Sequence, residues 1–360
     1  MKIEELSLEE KMGQLFMVGL EETNHTGIQE MIQQYKIGGV ILYKKNYRTY
    51  EEMINLVNHL KEMNQSNAIP LFISIDQEGG RVNRMPSEIE NLKSAMQIVN
   101  TQDMELVKES GRAIGRMLQE TGISMDYAPV LDIKRFEEKH AIGDRCYGEK
   151  EEDVSKYGIE VMKEIQNQGV ISVIKHFPGH GLTKKDSHFR IPKITQKIEK
   201  LEKEDMLPFE KAIKEGADSI MVGHLIIKDI DRRYPASLSK KVIQTHLIDK
   251  YQYTGLIMTD DLKMLAIRLH YNMKRAVKKA IEAGNDIVMI GLPYRKVKKI
   301  IQYMTKQVQK GKIEIERINQ SVEKIQKMKE KYQIQDKIVE GGKVDQINST
   351  IQKINKKIEK

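Results

Sequence analysis

The 360-residue sequence contains no tryptophan, only one cysteine and no long apolar run. Because Cys146 has no second cysteine to pair with, no disulfide can form within the chain, which fits a reducing compartment. No apolar run reaches the length of a membrane span, and residues 1–7 carry no apolar signal segment. We therefore expect a cytoplasmic location and no membrane partner. Any aromatic ring in a binding site must come from tyrosine or phenylalanine.

Several short functional signatures are also missing. The net charge is +8, from 60 Lys+Arg against 52 Asp+Glu, but the lysines are interleaved with glutamates over stretches such as 314–331. This pattern is typical of a solvated helix face, and no nucleic-acid-binding module is evident, so we predict no nucleic-acid partner. The chain also lacks a P-loop, a dinucleotide-binding fingerprint, a nucleophilic-serine elbow at Ser187 and a repeat of fixed period.

What the sequence does contain is a regular alternation of apolar and amphipathic stretches. The apolar runs predict buried strands over residues 14–19, 39–43, 71–76, 124–131, 170–176, 219–224, 255–260 and 286–291. Helical periodicity follows over residues 28–35, 50–63, 103–120, 153–168, 203–215, 240–251, 272–283 and 294–310. Strands that are apolar on both faces are typical of parallel sheets covered by helices. The alternation predicts an α/β fold, a (β/α)8 barrel of the TIM type.

An open, doubly wound sheet is the alternative fold. It would place its ligand at one switch point, beside a glycine-rich turn after the first strand. Polar residues here follow many strands, which favours the barrel. We expect the barrel domain to occupy residues 1–333, including a long helix over 313–332. Residues 334–360 are expected to form a helical or frayed C-terminal tail without a role in catalysis.

One strand end is unusually rich in titratable groups. The strand at 170–174 leads into Lys175-His176-Phe177-Pro178-Gly179-His180-Gly181, and Asp186 and His188 follow. Proline and two glycines prevent a regular helix or strand from continuing, so these groups must lie on a shaped loop. The carboxyl ends of other strands carry Asp76 to Arg84, Asp132, His224 and Asp260-Asp261. In a barrel these ends meet on one face, where active sites lie.

Several chemistries could use these groups. His176, His180, Asp186 and His188 are of the types that bind metal, but their spacing spans a Pro/Gly loop rather than one helix face. The glycines at 79–80 and 179–181 could approach a phosphate, although no phosphate fingerprint surrounds them. Acid/base chemistry with a carboxylate nucleophile needs an ionised Asp and a proton donor with a pKa near neutrality. Asp260 and His188 meet those needs.

The motifs together resemble the bacterial β-N-acetylglucosaminidases of glycoside hydrolase family three. The resemblance covers about residues 8–310, with the motifs in the family's order. The matching segments are Asp-Gln-Glu-Gly-Gly-Arg-Val at 76–82, Gly-Asp-Arg at 143–145, Lys-His-Phe-Pro-Gly-His-Gly at 175–181, Asp-x-His at 186–188, Pro-Ala-Ser at 235–237 and Thr-Asp-Asp-Leu-x-Met at 259–264. Several motifs in register carry more weight than any one of them.

The resemblance implies how the reaction would run. Asp260 matches the family's nucleophile, which forms a covalent glycosyl-aspartate that water resolves with net retention. His188 matches the general acid/base, and its pKa near 6.5 suits donating and regaining a proton at neutral pH. Asp186 matches the acidic partner that orients this histidine. Asp261 is the competing carboxylate, and we expect it to cap a helix or support the site.

The resemblance also implies the residues that bind substrate. They are Asp76, Arg84, Arg145, Lys175 and His176, with Asp76 accepting hydrogen bonds from sugar hydroxyls while Arg84, Arg145 and Lys175 donate them. Supporting roles are expected for Glu78, Arg81 and His224, and His180 is left undecided. Phe177 and Tyr147 are the nearest candidates for an aromatic platform under the sugar.

These observations predict a retaining exo-β-N-acetylglucosaminidase that acts on cell-wall-derived saccharides such as peptidoglycan fragments. We expect a monomer that takes a small saccharide or muropeptide and needs no metal or organic cofactor. Two enzymatic alternatives remain within the resemblance: a β-glucosidase, and a phosphorylase in which phosphate replaces water, because a neutral base repels an anionic acceptor less than a carboxylate does. The non-enzymatic alternative is a sugar-binding protein on an inert barrel.

Overall fold

The structure is a computed structural model that describes residues 3–21, 25–136, 142–182 and 191–359. Its centre is a sheet of eight parallel strands in the order β10-β1-β2-β3-β4-β5-β7-β9. The strands are β1 (Phe16–Gly19), β2 (Gly39–Ile41), β3 (Phe72–Ile75), β4 (Met125–Asp126), β5 (Ile171–Phe177), β7 (Ser219–Val222), β9 (Leu256–Thr259) and β10 (Val288–Ile290). A parallel bridge between Met258 and Ile287 joins β9 to the start of β10 and brings the two edges together. The predicted (β/α)8 barrel is confirmed, and the open doubly wound sheet is excluded.

Helices surround the barrel. They are α1 (Leu8–Gln14), α2 (His25–Gln33), α3 (Tyr50–Asn64), α4 (Ala95–Val99), α5 (Met104–Glu120), α6 (Glu151–Asp153), α7 (Ile159–Asn167), α8 (Ile198–Lys203), α9 (Leu207–Lys214), α10 (Leu265–Arg268), α11 (Met273–Ala283), α12 (Tyr294–Gln309), α13 (Ile315–Lys331) and α14 (Val344–Ile358). Short 3-10 turns lie at Ile3–Glu5, Lys44–Asn46, Gly143–Arg145 and Ala236–Leu238. Among the helices of the described ranges, none has the length and apolar character needed to span a bilayer.

Local sequence signals explain several element boundaries. Ser7 caps α1, and its side chain and that of Glu10 each accept a hydrogen bond from the other's backbone amide, as the predicted capping box requires. The first strand was predicted from residue 14, but Gln14 still belongs to α1. The fourth strand was predicted over 124–131 and contains only two residues, because Ala128-Pro129 follows and proline cannot donate to a ladder.

Two other features lie beyond the predicted alternation. The stretches Val154–Gly158 and Lys241–Lys250 form wider, π-type turns within predicted helices. A second, two-stranded sheet pairs β6 (Lys193–Ile194) with β8 (Ile226–Ile227). Strand β6 belongs to the connection after β5, and β8 belongs to the connection after β7. The small sheet therefore joins these two connections outside the barrel. This pair therefore flanks the face on which the histidine-rich loop begins.

Apolar side chains fill both sides of the barrel wall. The interior is packed by large residues from successive strands, among them Met17, Phe72, Tyr127, Met221 and Met258. A helix-facing layer surrounds the wall and accounts for the β-branched residues on the opposite faces of the strands. The interior of the barrel is consequently a filled core rather than a pore.

Helix α13 closes the amino-terminal end of the barrel. Its Ile325 and Met328 join the interior cluster, and the ammonium of the buried Lys329 donates to the Gly38 carbonyl and the Gln14 side chain, both at 3.0 Å. Near the start of β10, the buried Asp286 accepts from Arg317 and Ser321 of the same helix, each at 2.9 Å. The opposite, carboxyl-terminal end remains open, and we call it the mouth.

The segment after α13 packs along the outside of the barrel. Asp336 accepts hydrogen bonds from the Leu71 amide at 3.1 Å and from the Asn64 side chain at 2.6 Å. Helix α14 then lies against α5, burying Ile347, Ile351 and Ile354. The tail thus contains a packed helix that begins at residue 344.

Candidate functional site

Four strand ends bring the predicted site residues to the mouth. Asp76 directly follows β3, Lys175 and His176 are the last but two and last but one residues of β5, and Asp260 directly follows β9. His224 comes two residues after β7. Because all these strands are parallel, their carboxyl ends lie at the same end of the barrel, and the side chains from distant parts of the sequence meet there.

Lys175 is the centre of a buried ionic network. Its ammonium lies 2.8 Å from Asp76 Oδ1 and 2.6 Å from Glu78 Oε1. The guanidinium of Arg145 binds the same Glu78 carboxylate in bidentate fashion, through Nε and Nη2 at 2.7 Å each. The Lys175 side chain is only 2% exposed, whereas that of Asp76 is 24% exposed. Asp76 is therefore the most exposed member of the network, ahead of Arg145 at 17%.

The network fixes its own charge state. Burial lowers the pKa of Lys175, but the carboxylates of Asp76 and Glu78 outweigh burial and raise it above its ordinary value. Burial likewise raises the pKa of Glu78, but Lys175 and Arg145 hold it well below its usual range. Both cations and the Glu78 carboxylate consequently stay charged at neutral pH. Glu78, expected only to support the site, links two of the predicted sugar-binding residues.

His176 is held by a second carboxylate. Its Nδ1 lies 2.6 Å from Asp132 Oδ2, and the His180 amide donates to Asp132 Oδ1 at 2.7 Å. Asp132 is fully buried, which raises its pKa, but His176, His180 and these hydrogen bonds lower it overall. Burial and the neighbouring His176 lower the pKa of His180 to about 4, so this ring is neutral at pH 7. Asp132 thus orients the His176 ring through one nitrogen and anchors the following turn.

Asp260 lies in an environment that favours its ionised form. Burial raises its pKa, but the charges of His224 and His176, the hydrogen bond from the Asp261 amide at 2.7 Å and the charge of Lys175 bring the pKa below its ordinary value. An ionised carboxylate at a strand end is what a nucleophile requires. His224 is itself held in place by the Ser237 hydroxyl at 2.7 Å and the Asp261 carbonyl at 3.1 Å.

Asp261 has a different task from its neighbour. Its Oδ1 accepts from the amides of Lys263 at 2.8 Å and Gly291 at 2.9 Å, which ties the end of β9 to the end of β10. Burial raises the pKa of Asp261 to about 6, although these two hydrogen bonds oppose the rise. Asp261 Oδ1 accepts two backbone amides, whereas Asp260 Oδ1 accepts one, so Asp260 is the carboxylate that is less tied to the backbone.

Arg84 and Tyr43 complete the part of the mouth next to Asp76. The backbone of Arg84 is fixed by Gln77 Oε1 at 2.9 Å and by the Tyr47 hydroxyl at 3.0 Å. Burial and the charges of Asp261 and Asp76 raise the pKa of Tyr43, and the Arg84 charge opposes this, so both side chains belong to the same electrostatic environment. Tyr43 was not among the predicted site residues, because it carries no charge. Its place at the end of the second predicted strand was the signal that could have identified it.

The two predicted aromatic platforms are wrong. Phe177 has no exposed surface, and its ring packs edge-on against Phe209 and Tyr251 on the helix-facing side of the wall. Tyr147 is also buried, in the apolar layer outside the barrel. Tyr43 is only partly buried, and it is therefore the better candidate for an aromatic contact in the mouth.

The predicted proton-transfer pair, Asp186 and His188, lies outside the described residues. Within the ranges that are described, no group of three or more His, Cys, Asp or Glu side chains has the arrangement of a metal site. The described part of the mouth therefore contains a buried cation network, an oriented histidine and an ionised carboxylate. Such a set can bind a polyhydroxylated ligand and attack it.

Comparison with known proteins assigns the chain to a class. Residues 7–328 match the glycosyl hydrolase family 3 N-terminal domain. The chain therefore belongs to glycosyl hydrolase family 3, and the expectation that it is a glycoside hydrolase is confirmed. The motifs at 76–82, 175–181 and 259–264 all fall within the matched region.

The curated relatives that match this chain include β-hexosaminidases. β-Hexosaminidase A of Pseudoalteromonas piscicida is 31% identical over 329 residues, which are 84% of this chain and 55% of that protein. β-Hexosaminidase LpqI of Mycobacterium tuberculosis is 28% identical over 331 residues, which are 90% of this chain and 83% of the relative. The chain thus spans about half the length of the first relative and most of the second.

Solved structures of β-N-acetylglucosaminidases are also similar to this chain. A glycoside hydrolase family 3 β-N-acetylglucosaminidase from a Paenibacillus species superposes with a TM-score of 0.90 at 31% identity, covering 97% of this chain and 68% of that one. The β-N-acetylglucosaminidase from Thermotoga maritima gives a TM-score of 0.78 at 25% identity, with 88% of this chain and 66% of that one covered.

Proposed function

We propose that this chain is a retaining exo-β-N-acetylglucosaminidase that removes terminal β-linked N-acetylglucosamine from cell-wall-derived saccharides such as peptidoglycan fragments. The observation that carries the proposal is the convergence of Asp260, with its lowered pKa, and the Asp76–Lys175–Glu78–Arg145 network at one barrel mouth. We choose an acetamido sugar as the substrate because the similar proteins are named β-hexosaminidases and β-N-acetylglucosaminidases.

In the proposed reaction Asp260 attacks C1 of the sugar and forms a covalent glycosyl-aspartate, which water then hydrolyses with retention. His188 protonates the leaving oxygen and later activates the water, and Asp186 orients its ring and stabilises the imidazolium. Asp76 accepts hydrogen bonds from sugar hydroxyls. Arg84, Arg145, Lys175 and His176 bind the same sugar or hold those that do, and the rigid network keeps Asp76 in place.

Substrate and product analysis tests the proposed activity. The protein is incubated with an aryl β-N-acetylglucosaminide and an aryl β-glucoside, each with and without phosphate. We expect N-acetylglucosamine, with retained configuration, from the first substrate and little turnover of the second. A sugar phosphate would indicate a phosphorylase, a preference for the glucoside would indicate a β-glucosidase, and binding without turnover would indicate a sugar-binding protein.

The nucleophile is tested by Asp260→Asn, with Asp261→Asn as the matched control. Because an amide cannot form the glycosyl-aspartate, we expect turnover to fall by about a thousandfold or more while the circular dichroism spectrum stays unchanged. Asp261→Asn keeps an acceptor for both backbone amides and should lose far less. Activity of Asp260→Asn within a few-fold of the wild type would remove Asp260 from this role.

The proton donor is tested by His188→Ala on substrates of different leaving-group ability. The loss should be large for alkyl or sugar leaving groups and small for 2,4-dinitrophenol, which departs without protonation. Equal losses on both substrates would argue against an acid role for His188.

Three further proposals concern the whole chain. Residues 1–333 form the catalytic barrel, and residues 334–360 brace it without taking part in catalysis. The protein acts as a monomer, which sedimentation would test. It acts in the cytoplasm, where the thiol of Cys146 would stay reduced, and cell fractionation would test that location.

A further inference from the structure

Tyr43 lies on the floor of the mouth. It follows β2 by two residues, and the alternation of side chains puts it on the same side of the wall as Ile41, which belongs to the interior cluster. The Tyr43 ring packs on that cluster at the carboxyl-terminal end of the barrel, and the residue is only partly buried. Because the interior beneath it is filled, the accessible part of Tyr43 faces the mouth.

The hydroxyl of Tyr43 reaches across two neighbouring strand ends. A Cβ placed on Gly19, the last residue of β1, would lie 2.8 Å from Tyr43 Oη. A Cβ on Gly291, which directly follows β10, would lie 3.1 Å from the same oxygen. A side chain at either position would therefore crowd the hydroxyl, and the two glycines leave it room to lie over the ends of β1 and β10.

The backbone of Tyr43 is fixed, whereas its hydroxyl has no hydrogen-bond partner among the described residues. The Tyr43 amide donates to Asn46 Oδ1 at 2.8 Å, and the Tyr43 carbonyl accepts from the Asn46 amide at 2.9 Å. Burial and the charges of Asp261 and Asp76 raise the pKa of Tyr43, so the phenol is protonated at neutral pH and can donate. The mouth thus contains a fixed hydrogen-bond donor that a ligand can use.

The strand order places this donor beside the path between Asp76 and Asp260. Asp76 follows β3 and Asp260 follows β9, and these two strands are four positions apart in either direction around the eight-stranded barrel. The two carboxylates therefore stand on opposite sides of the mouth. Lys175 and His176, on β5, occupy one flank between them, and the Tyr43 hydroxyl, over β1 and β10, occupies the other.

We propose that Tyr43 is a further substrate-binding residue, whose hydroxyl donates a hydrogen bond to the 3- or 6-hydroxyl of the sugar bound between Asp76 and Asp260. The inference rests on the proposed function, in which Asp260 attacks C1 and Asp76 binds hydroxyls of the same sugar. C1 and C4 lie at opposite ends of a pyranose ring, so a sugar with C1 at Asp260 directs C4 towards Asp76. Its two edges then face the two flanks, and the edge beside Tyr43 presents the 3-hydroxyl or the 6-hydroxyl.

A cycle of two changes, one in the protein and one in the sugar, tests the proposal. Tyr43→Phe removes the hydroxyl and keeps the ring, and the 3-deoxy and 6-deoxy analogues of an aryl β-N-acetylglucosaminide each lack one sugar hydroxyl. On the parent substrate we expect kcat/KM of Tyr43→Phe to fall about five- to tenfold, because a neutral hydrogen bond is lost. On one of the two analogues the loss should be less than about twofold, because the partner is already absent. The 4-deoxy analogue should show the full loss.

Tyr303→Phe is the matched control. Tyr303 is a partly buried tyrosine of α12, on the outside of the barrel, with its ring centroid 5.1 Å from the Lys274 ammonium. This variant should keep wild-type kinetics on every substrate. Thermal unfolding supplies a readout that a structural role would change. Because no described residue hydrogen-bonds to the Tyr43 hydroxyl, Tyr43→Phe should keep or raise the Tm, whereas loss of a structural hydrogen bond would lower it.

The outcomes separate this inference from the proposed function. Losses of equal size on the parent, 3-deoxy and 6-deoxy substrates would overturn the role of Tyr43, as would an unchanged kcat/KM on the parent or a lowered Tm. If the wild type binds methyl β-N-acetylglucosaminide but cleaves no aryl glycoside, the proposed hydrolase fails, and the same cycle measured on dissociation constants by calorimetry decides the role of Tyr43. If the wild type neither cleaves nor binds these sugars, both proposals fail.

Discussion

Glu78 is the residue on which the cations of the mouth depend. It binds Arg145 through both oxygens and Lys175 at 2.6 Å, and its side chain is 6% exposed. Glu78→Gln removes a charge that two buried cations share, so Lys175 is drawn onto Asp76 and competes with the sugar for it. We expect KM to rise about tenfold or more with a smaller change in kcat.

Steady-state kinetics on an aryl β-N-acetylglucosaminide measure this effect. The control is Glu90→Gln, on the same connection after β3 but in contact with Gln352 of α14 rather than the mouth. A variant at position 78 with wild-type KM would show that the network is dispensable for binding.

A second prediction at the residue scale concerns Lys329. Burial lowers its pKa to about 7, far below 10.5, so between these two values the unfolded chain binds more protons than the folded one. Stability therefore rises with pH in this window, and below about pH 7 the lysine is charged in both states and adds no pH dependence. The variant Lys329→Met lacks this pH-dependent contribution to the free energy of unfolding. From pH 7 to pH 9 the wild type should gain on the order of 2 kcal/mol of unfolding free energy relative to the variant.

Urea unfolding at both pH values measures the difference. Lys327→Met, on the exposed face of the same helix with 70% of its side chain accessible, serves as control and should follow the wild type. Parallel pH profiles for Lys329→Met and the wild type would show that Lys329 is charged in the folded protein.

The sequence predicted charged site residues better than their partners. Asp76, Lys175, His176 and Asp260 stand at strand ends, and the barrel brings them together as expected. The sequence could not indicate that Glu78 contacts Lys175. The two residues are 97 positions apart, and the contact depends on how the connection after β3 folds back. The choice of Phe177 was wrong because β5 is irregular between Ile174 and Phe177. Regular alternation would put Phe177 on the same side of the wall as Lys175, but its ring faces the helices.

At the scale of elements, α14 is the part whose contribution is easiest to isolate. It buries Ile351, which is 1% exposed, against the outside of the barrel. Ile351→Asp places a charge in that contact and should lower the unfolding free energy by about 2–4 kcal/mol, while kcat/KM stays within about twofold.

Thermal and urea unfolding, together with kinetics, check this prediction. Ser349→Asp introduces the same charge on the exposed side of α14 and should have little effect. A large loss of activity at a temperature where Ile351→Asp is folded would contradict the proposal that the tail takes no part in catalysis.

Element type was predictable from the sequence, whereas element length was not. Apolar runs marked all eight strands because every strand is covered on both faces. The lengths of most strands other than β5 were overestimated, most of all for the fourth strand, where the apolar run continues past Asp126 as a buried connection rather than a ladder. An apolar run indicates which residues are buried, and the buried stretch is longer than the part of the strand that forms ladder hydrogen bonds.

At the scale of the whole molecule, Asp286 stabilises the place where β9 and β10 meet and close the barrel, which we call the seam. Its Oδ2 accepts from the Ile257 amide at 3.1 Å, and its Oδ1 accepts from Arg317 and Ser321 of α13 at 2.9 Å. One buried carboxylate therefore ties both seam strands to the closing helix. Asp286→Ala should lower the unfolding free energy by about 3–5 kcal/mol and leave KM unchanged, because Asp286 lies at the end opposite the mouth.

Circular dichroism during urea unfolding gives the first quantity and kinetics the second. Asp249→Ala, at an exposed position in the preceding helical segment, should stay within about 0.5 kcal/mol of the wild type. A change in KM without a loss of stability would contradict the structural role of Asp286.

The single cysteine can report local opening of the structure near the mouth. Cys146 has no exposed surface, lies next to Arg145, and has a pKa raised to about 11 by burial. A thiol reagent can reach it only when this part of the wall opens, so the labelling rate measures that opening directly. With no other thiol in the chain, the signal needs no correction, and slower labelling in the presence of a sugar would report the free energy that the ligand adds to closure.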